Sequence, residues 1–553
     1  MGRSQIKGIA ATVVFFATIF YMAINSIYFI PISAPLLTWL PIGYWIIILA
    51  TLGLVFTVLL NENPTKVDFL IVLLLLLVLF IGPEMMEYSV RVRDSYSFLY
   101  LSNYVTFPSI YNQTSYSQYN YLPNWPGFFY FVSAMYQVLG LGYYTGAKAV
   151  FAIGQAAIVL VSFGLGKSLF GSRRGSVLFG LLIVTIGWDV WPNPSPVLFG
   201  AIFLVSIVSV LLIKRGSGSK MLVFAILYLA VTVVHGLTAI LLVPLLLILA
   251  IYPVARGVIM GISALTRLRI RFGQHLSADL IDVRVAMVIF ATVIFSLWFT
   301  LAPNAVNGES LLESLNFLLH LNQAPLVSQL TNLTSYRYPS VVTAGVFLGL
   351  TAVTLGVALA SSLKGYGLIS LQSILLLVAA VTFTYLFFPT SQDFYDRIFE
   401  DGFPFIVWII VAGTVKIKWK RLFAILVLIL VVSGFAAAYA HEPVLVYPPT
   451  ENAGDSFLLH HATPNSIIAY LTDGPTAQGV SDSPSSPTML GFTGIAAEDS
   501  RSLLQANIVV NSTVVQDGFL YYYGYSLVNQ YVSSHRLMVL YESGSYTIYQ
   551  SAP

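Results

Sequence analysis

Long apolar segments alternate with short polar connections from the N-terminus to about residue 440. Residues 8–60 contain no Asp, Glu, Lys or Arg. Since a helix of about 20 apolar residues crosses a bilayer, this stretch predicts two spans, separated near Pro31 and Pro41. Continuing along the chain predicts about thirteen spans. They lie near 9–30, 42–60, 67–83, 146–166, 175–190, 196–213, 221–234, 237–255, 285–302, 339–361, 366–388, 403–415 and 422–440.

Composition supports an all-α polytopic membrane protein. Of 553 residues, 57% are hydrophobic and 9% charged, whereas soluble domains carry roughly a quarter charged residues. The formal charge of +3 is too small to indicate a nucleic-acid partner. The absence of cysteine excludes disulfides, thiolate metal sites and cysteine nucleophiles. Membrane lipids are therefore the expected surroundings, in a multi-pass protein of the cell membrane.

Basic and acidic residues are distributed unequally between the two faces of the predicted bundle. With the N-terminus in the cytoplasm, the cytoplasmic connections hold nineteen of the 26 Lys and Arg residues and four of the 23 Asp and Glu residues. The positive-inside rule favours this orientation. Three Asn-x-Ser/Thr sequons, at Asn112, Asn332 and Asn511, then all lie outside.

The polar part of the chain is thus predicted on the external face. It comprises the loops 84–145 and 303–338 and a tail of ordinary composition after residue 440. Within the tail, Leu537–Tyr549 predicts a β-hairpin that turns at Ser543-Gly544-Ser545. We predict a transmembrane domain over residues 1–440 and a small extracytoplasmic α+β domain over residues 441–553.

A cluster of five charges follows the third predicted span. It consists of Glu84, Glu87, Arg91, Arg93 and Asp94. An ionised side chain beside lipid is costly unless it is hydrated, paired or used for chemistry. If 84–101 is helical, positions 84, 87, 91 and 94 share one face. Two interpretations stay open, namely an ion-paired helix on the membrane surface and a catalytic carboxylate at the mouth of a cavity.

After Asp94 the chain contains no charge until Lys148, and seven tyrosines lie in the stretch from Tyr96 to Tyr121 of the first external loop. Tyrosine suits stacking on a sugar and equally suits the membrane interface. The loop ends in Tyr119-Asn-Tyr-Leu-Pro-Asn-Trp125-Pro126-Gly127. Here the chain resembles the GT-C class of polytopic glycosyltransferases, especially archaeal and bacterial members, in which an external acidic residue is followed by a Tyr-x-x-x-Pro-Gly-like start of a short amphipathic helix.

Three further segments carry the resemblance. They are Asn193-Pro194-Ser195-Pro196 at a span start, His235-Gly236-Leu237-Thr238 between two spans, and Gln392-Asp393-Phe-Tyr-Asp396-Arg397 before Phe403-Pro404. A GT-C fold implies inverting transfer of a sugar from a polyprenyl (dolichyl) phosphate to an acceptor hydroxyl on a glycan, lipid or protein, at the external face.

The resemblance implies roles for individual residues. Asp94 would accept the proton of the acceptor hydroxyl or help hold a divalent cation, Mg or Mn, with Glu84 and Glu87 as further ligands. No Asp-x-Asp pair occurs, so a base without metal stays open. Arg397, with Arg337, would stabilise charge on the leaving phosphate; pairing of Arg397 with Asp393 or Asp396 is the alternative. Further candidate substrate contacts are His235, Gln392, Asp393, Tyr96 and Trp125, although His235 equally suits a hydrogen-bonded interface residue.

The rival functions are a transporter or flippase of a lipid-linked glycan or small solute, and a membrane anchor for the tail. Transporters commonly contain repeated halves and polar sites near mid-membrane. This sequence shows no repeat, and its charge cluster lies at the outer interface.

Phe519-Leu-Tyr-Tyr-Tyr-Gly524 resembles the Trp-Trp-Asp-Tyr-Gly of oligosaccharyltransferases only weakly. Their first external loop follows the first helix rather than the third, which disfavours en bloc oligosaccharide transfer.

Overall fold

The chain is mostly helical over the part that the computed structural model describes. The described residues are 2–24, 40–86, 102, 125–140, 143–187, 195–212, 217–265, 285–301, 338–362, 373–378, 380–382, 394–415 and 419–440, together with the tail strands. The helices are α1 Arg3–Ile24, α2 Ile42–Leu60, α3 Lys66–Met86, α4 Pro126–Leu139, α5 Tyr143–Phe170, α6 Arg173–Ile186, α7 Pro196–Leu212, α8 Ser217–Val234, α9 Gly236–Leu265, α10 Val285–Leu301, α11 Tyr338–Ser362, α12 Phe394–Thr414 and α13 Lys420–Ala440.

Helix length and composition fit a multi-pass membrane protein. Among the described residues, five helices are long and apolar enough to cross a bilayer, namely Ser4–Ile24, Ile42–Leu60, Lys66–Met86, Gly146–Phe170 and Lys420–Tyr439. Shorter apolar helices, such as Pro196–Leu212 and Gly218–Val234, pack against each other, and Pro196–Leu212 also packs against Gly146–Phe170. The predicted helical membrane class is confirmed, whereas the number of thirteen spans stays a prediction.

One end of the bundle is held by a buried carboxylate. Asp68, in the first turn of α3, is fully buried. Its Oδ1 accepts from Lys7 Nζ of α1 at 3.0 Å, and its Oδ2 accepts from Asn61 Nδ2 at 3.0 Å and from the Thr65 amide at 2.7 Å. Glu62 pairs with Lys420 at the start of α13. The start of α1, the end of α2 and the starts of α3 and α13 therefore lie together, at what we call the basic end.

The opposite end is where α3 and α13 finish. Tyr439 Oη, near the end of α13, donates to the Phe80 carbonyl of α3 at 3.2 Å, and the two rings stack. The first long loop and the tail both start here, so we call this the loop-bearing end. Thr185, near the end of α6, lies at the same end, because its carbonyl approaches Gly434 of α13.

The middle helices run alternately between these two ends. The Phe69 ring, close to the start of α3, contacts the Phe163 ring of α5 at a centroid distance of 4.9 Å. Lys220 Nζ of α8 donates to the Leu211 carbonyl of α7 at 2.7 Å. These contacts fix the ends of α5 and α7 and the starts of α6 and α8 at the basic end. The basic residues there whose side chains the structure describes are Lys7, Lys66, Lys167, Arg173, Arg174, Lys220, Lys420 and Arg421.

The described part of the tail forms β-structure. The strands are β1 Ile467–Tyr470, β2 Thr488–Gly491, β3 Ile508–Ser512, β4 Val515–Gln516, β5 Phe519–Leu520, β6 Leu537–Ser543 and β7 Tyr546–Ser551. Five of them form a sheet of order β2-β1-β3-β7-β6, in which β1 is parallel to both neighbours. The predicted hairpin is confirmed: β6 and β7 pair antiparallel, with Ser543 opposite Tyr546.

Replacing Asp68 by Ala is expected to destabilise the protein by about 3 kcal/mol, because a partly buried cation and two partly buried donors lose their acceptor. Thermal unfolding in detergent micelles measures this. Glu62→Gln is the matched control, since its carboxylate is 62% exposed and an exposed ion pair contributes about 1 kcal/mol or less. Equal effects of the two substitutions would contradict the assigned role of Asp68.

Candidate functional site at the loop-bearing end

A π turn interrupts α3 just before the predicted charge cluster. It covers Leu77–Ile81, and such turns leave backbone carbonyls without their regular helical donors. Two tyrosine hydroxyls supply donors: Tyr44 Oη donates to the Val78 carbonyl at 2.8 Å, and Tyr439 Oη donates to that of Phe80. Helices α2 and α13 thus stabilise the irregular turn from both sides.

The π turn sets the direction of Glu84. One extra residue in a turn rotates all later side chains by about 100° around the helix axis. Gly82 lies against the Tyr44 hydroxyl, and a Cβ at this position would overlap it. Glu84 follows in the last turn of α3 and is only 2% exposed. A carboxyl group is therefore buried at the loop-bearing end, directly before the first external loop.

The segment Trp125-Pro126-Gly127 docks on the junction of α8 and α9. Trp125 directly precedes α4, with φ −134° and ψ 63°, and Pro126 occupies the first helical position, where its fixed φ suits the helix. A Cβ on Gly127 would lie 3.0 Å from Val233 Cγ1 and 3.1 Å from the Val233 carbonyl. Any larger residue at position 127 would require Val233 and Val234 to shift by a few tenths of an ångström.

His235 is the single residue between α8 and α9. Its amide donates to the Val231 carbonyl at 2.7 Å, and its carbonyl accepts from the Ala239 amide at 3.3 Å, so it ends one helix and starts the next. The indole of Trp125 lies on Gly236, where a Cβ would overlap Nε1. Two segments of the GT-C resemblance, far apart in sequence, are therefore in contact.

The His235 side chain is held by Thr238. His235 Nδ1 and Thr238 Oγ1 are 2.7 Å apart, and both side chains are buried. Gly200 of α7 lies against the pair, since a Cβ there would be 2.7 Å from Nδ1 and 2.6 Å from Oγ1. The hydrogen bond fixes the ring orientation. The tautomer decides whether Nε2 donates or accepts, and both forms suit binding of a hydroxylated ligand.

Two further segments that resemble the GT-C class lie at the starts of helices at this end. Ser195 is buried directly before α7. Arg397 lies in the first turn of α12. Because α12 ends shortly before the start of α13 at the basic end, the first turn of α12 belongs to the loop-bearing end.

The structure brings part of the predicted site together. Glu84, Trp125, His235 and the backbone of Arg397 lie at one end of the bundle. Six predicted site residues lie outside the described residues, namely Asp94, Glu87, Tyr96, Arg337, Gln392 and Asp393. In the part of the chain that the structure describes, no three His, Asp or Glu side chains come together as a metal site. Sequence reasoning missed Tyr44, Tyr439 and Gly200, which sit in apolar runs without a distinguishing pattern.

Three solved structures show a weak similarity to this chain. The oligosaccharyltransferase of Archaeoglobus fulgidus, crystallised with Zn and sulfate, is 14% identical with a TM-score of 0.48, covering 88% of this chain and 73% of its own. The arabinofuranosyltransferase AftD from Mycobacteria is 12% identical with a TM-score of 0.45, covering 89% and 40%. ArnT from Cupriavidus metallidurans, in the apo state, is 11% identical with a TM-score of 0.36, covering 92% and 99%.

All three similarities are weak, with identities of 11–14% and TM-scores below 0.5. The resemblance to GT-C glycosyltransferases rests on the sequence motifs. No family model matches the chain, and no curated protein matches it. Because the identities and TM-scores are low, the function rests on the site itself.

Proposed function

We propose that this chain is a membrane glycosyltransferase that transfers a single sugar from a polyprenyl (dolichyl) phosphate to an acceptor hydroxyl, with inversion. The observation that carries this proposal is the docking of Trp125-Pro126-Gly127 on His235-Gly236. These segments were singled out separately for their GT-C resemblance. Their contact, at the end of the bundle where Glu84 is also buried, supports a shared substrate cavity.

The proposal includes the orientation of the protein in the membrane and its division into two domains. The basic end faces the cytoplasm, in keeping with the positive-inside rule, and the loop-bearing end faces outside. The transmembrane domain comprises residues 1–440 with about thirteen spans, and the tail 441–553 is an extracytoplasmic α+β domain. The sugar donor then approaches from the external leaflet, with its prenyl chain between apolar helices.

Each step of the transfer is assigned to particular residues of the chain. Asp94 takes the proton from the acceptor hydroxyl. Arg397, with Arg337, stabilises negative charge on the departing phosphate. Tyr96, Trp125, His235, Gln392 and Asp393 contact the sugar or the phosphate.

A divalent cation, Mg or Mn, would be held by Asp94 with Glu84 and Glu87 and would supply positive charge beside the phosphate. Only Glu84 of these three carboxylates belongs to the described residues. For this reason no step of the reaction is assigned to a cation.

A host strain that lacks the chain supplies the test. Its glycans are expected to lack one defined sugar, as measured by mass spectrometry. Purified protein, added with dolichyl phosphate carrying labelled mannose or glucose, is expected to restore that sugar on glycans extracted from the strain and to release dolichyl phosphate. Loss of a whole oligosaccharide would indicate en bloc transfer instead. Movement of the labelled lipid across vesicles, with no release of dolichyl phosphate, would indicate a flippase.

A further inference from the structure

A buried arginine at the basic end has no anionic partner among the residues that the structure describes. Arg174, in the first turn of α6, is 9% exposed. Its Nε and Nη2 are buried without a hydrogen-bond acceptor among the residues that the structure describes. By contrast, Lys220, also buried at this end, donates to the Leu211 carbonyl. A buried guanidinium is costly unless its charge is paired.

Each described acidic residue at this end already has a hydrogen-bond or ion-pair partner. Asp68 accepts from Lys7, Asn61 and Thr65, and Glu62 pairs with Lys420. The first turn of α6 itself contains no acidic residue. No described carboxylate therefore offers a charge to Arg174.

The same turn carries a second source of positive potential. The Ser172 hydroxyl accepts from the Gly175 amide at 3.0 Å, and the Ser172 carbonyl accepts from the Ser176 amide at 3.2 Å. The amides of Arg173 and Arg174 precede these and have no acceptor within the helix. A helix N-terminus favours anions. Arg173 and Lys167 are exposed nearby and add charge at the rim.

We propose that this turn, with Arg174 at its centre, binds the phosphate of an anionic membrane lipid. A planar guanidinium fork matches phosphate oxygens in a bidentate manner. A lipid is the expected source, because the basic end is where the helices leave the bilayer and meet lipid headgroups. This site lies at the end opposite the glycosyltransferase site and does not rest on that function.

Native mass spectrometry of the full chain tests the proposal. The parent, stripped in neutral detergent, is titrated with phosphatidylglycerol and with phosphatidylcholine. It is expected to retain phosphatidylglycerol preferentially, and Arg174→Gln is expected to weaken this retention by about tenfold or more, the loss that follows from one charged hydrogen bond. Arg173→Gln, which removes an exposed charge from the neighbouring position, is expected to retain most of the affinity.

Several outcomes would overturn the assignment. Equal retention of the two lipids by the parent would exclude an anion-selective site, and this comparison requires no variant to fold. Equal losses for Arg173→Gln and Arg174→Gln would indicate diffuse surface charge. If inorganic phosphate displaces phosphatidylglycerol and protects the parent from heat as well as the lipid does, the ligand is free phosphate. Arg174→Lys, which keeps the charge without the fork, is expected to bind with intermediate affinity.

Discussion

Replacing Asp94 by Asn is expected to reduce sugar transfer by about a hundredfold to ten-thousandfold, the range contributed by a positioned general base. Asparagine keeps the size of the side chain but cannot accept a proton from the acceptor hydroxyl. The measurement is the rate at which labelled sugar passes from dolichyl phosphate to glycans of the deletion strain. Protein amount and thermal unfolding are followed alongside, so that loss of fold is distinguished from loss of chemistry.

Glu62→Gln is the matched control for this prediction. It makes the same chemical change at an exposed carboxylate of the basic end and is expected to leave transfer unchanged. A folded Asp94→Asn variant that transfers sugar at the parental rate would refute the catalytic assignment. Asp94 would then belong to the ion-paired surface helix, the alternative that the spacing of Glu84, Glu87, Arg91 and Asp94 leaves open.

The pH profile separates the two roles considered for Asp94. If its carboxylate is the base, the rate of the parent falls as the pH drops and this carboxylate becomes protonated. The residual rate of Asp94→Asn would not show that acidic limb. If Asp94 instead holds a cation, the concentration of Mg or Mn needed for half of the maximal rate would increase in the Asp94→Glu variant.

The apolar pattern predicted the helices better than their ends. The span predicted over 42–60 coincides with α2, because Pro41 and Asn61 delimit it. The span predicted over 237–255 is shorter than α9, which continues to Leu265. Likewise α12 begins at Phe394 rather than near Phe403. Hydropathy marks where lipid surrounds a helix, whereas polar residues such as Arg397 extend the same helix beyond the lipid.

The local architecture of the site was less predictable. Four segments could be identified by composition and resemblance, since charge, proline and histidine stand out in an apolar chain. The π turn at Leu77–Ile81 has no comparable signal, because it arises from hydroxyl groups of α2 and α13 that reach α3 only in the folded bundle. The contact between Trp125 and Gly236 depends in the same way on tertiary packing.

Gly236→Ala is expected to destabilise the protein by about 1–3 kcal/mol, the usual cost of forcing an extra carbon into a packed site. It is also expected to reduce sugar transfer strongly. The new Cβ would overlap the indole of Trp125, so the start of α4 must move away from the helix junction. Thermal unfolding and the transfer assay measure the two effects. Gly356→Ala is the matched control, because no atom lies near the Cβ position at Gly356 and alanine favours a helix.

A double-mutant cycle shows whether the Trp125 contact is responsible. Trp125→Ala alone leaves a cavity and is expected to destabilise by about 3 kcal/mol. Once the indole is absent, the three atoms nearest to the Cβ at position 236 are removed, so the double variant should be about as stable as Trp125→Ala. The two substitutions are then strongly non-additive, as expected for residues in contact. Additive effects would place the cost of Gly236→Ala elsewhere, and the docking that supports the proposed substrate cavity would lose its basis.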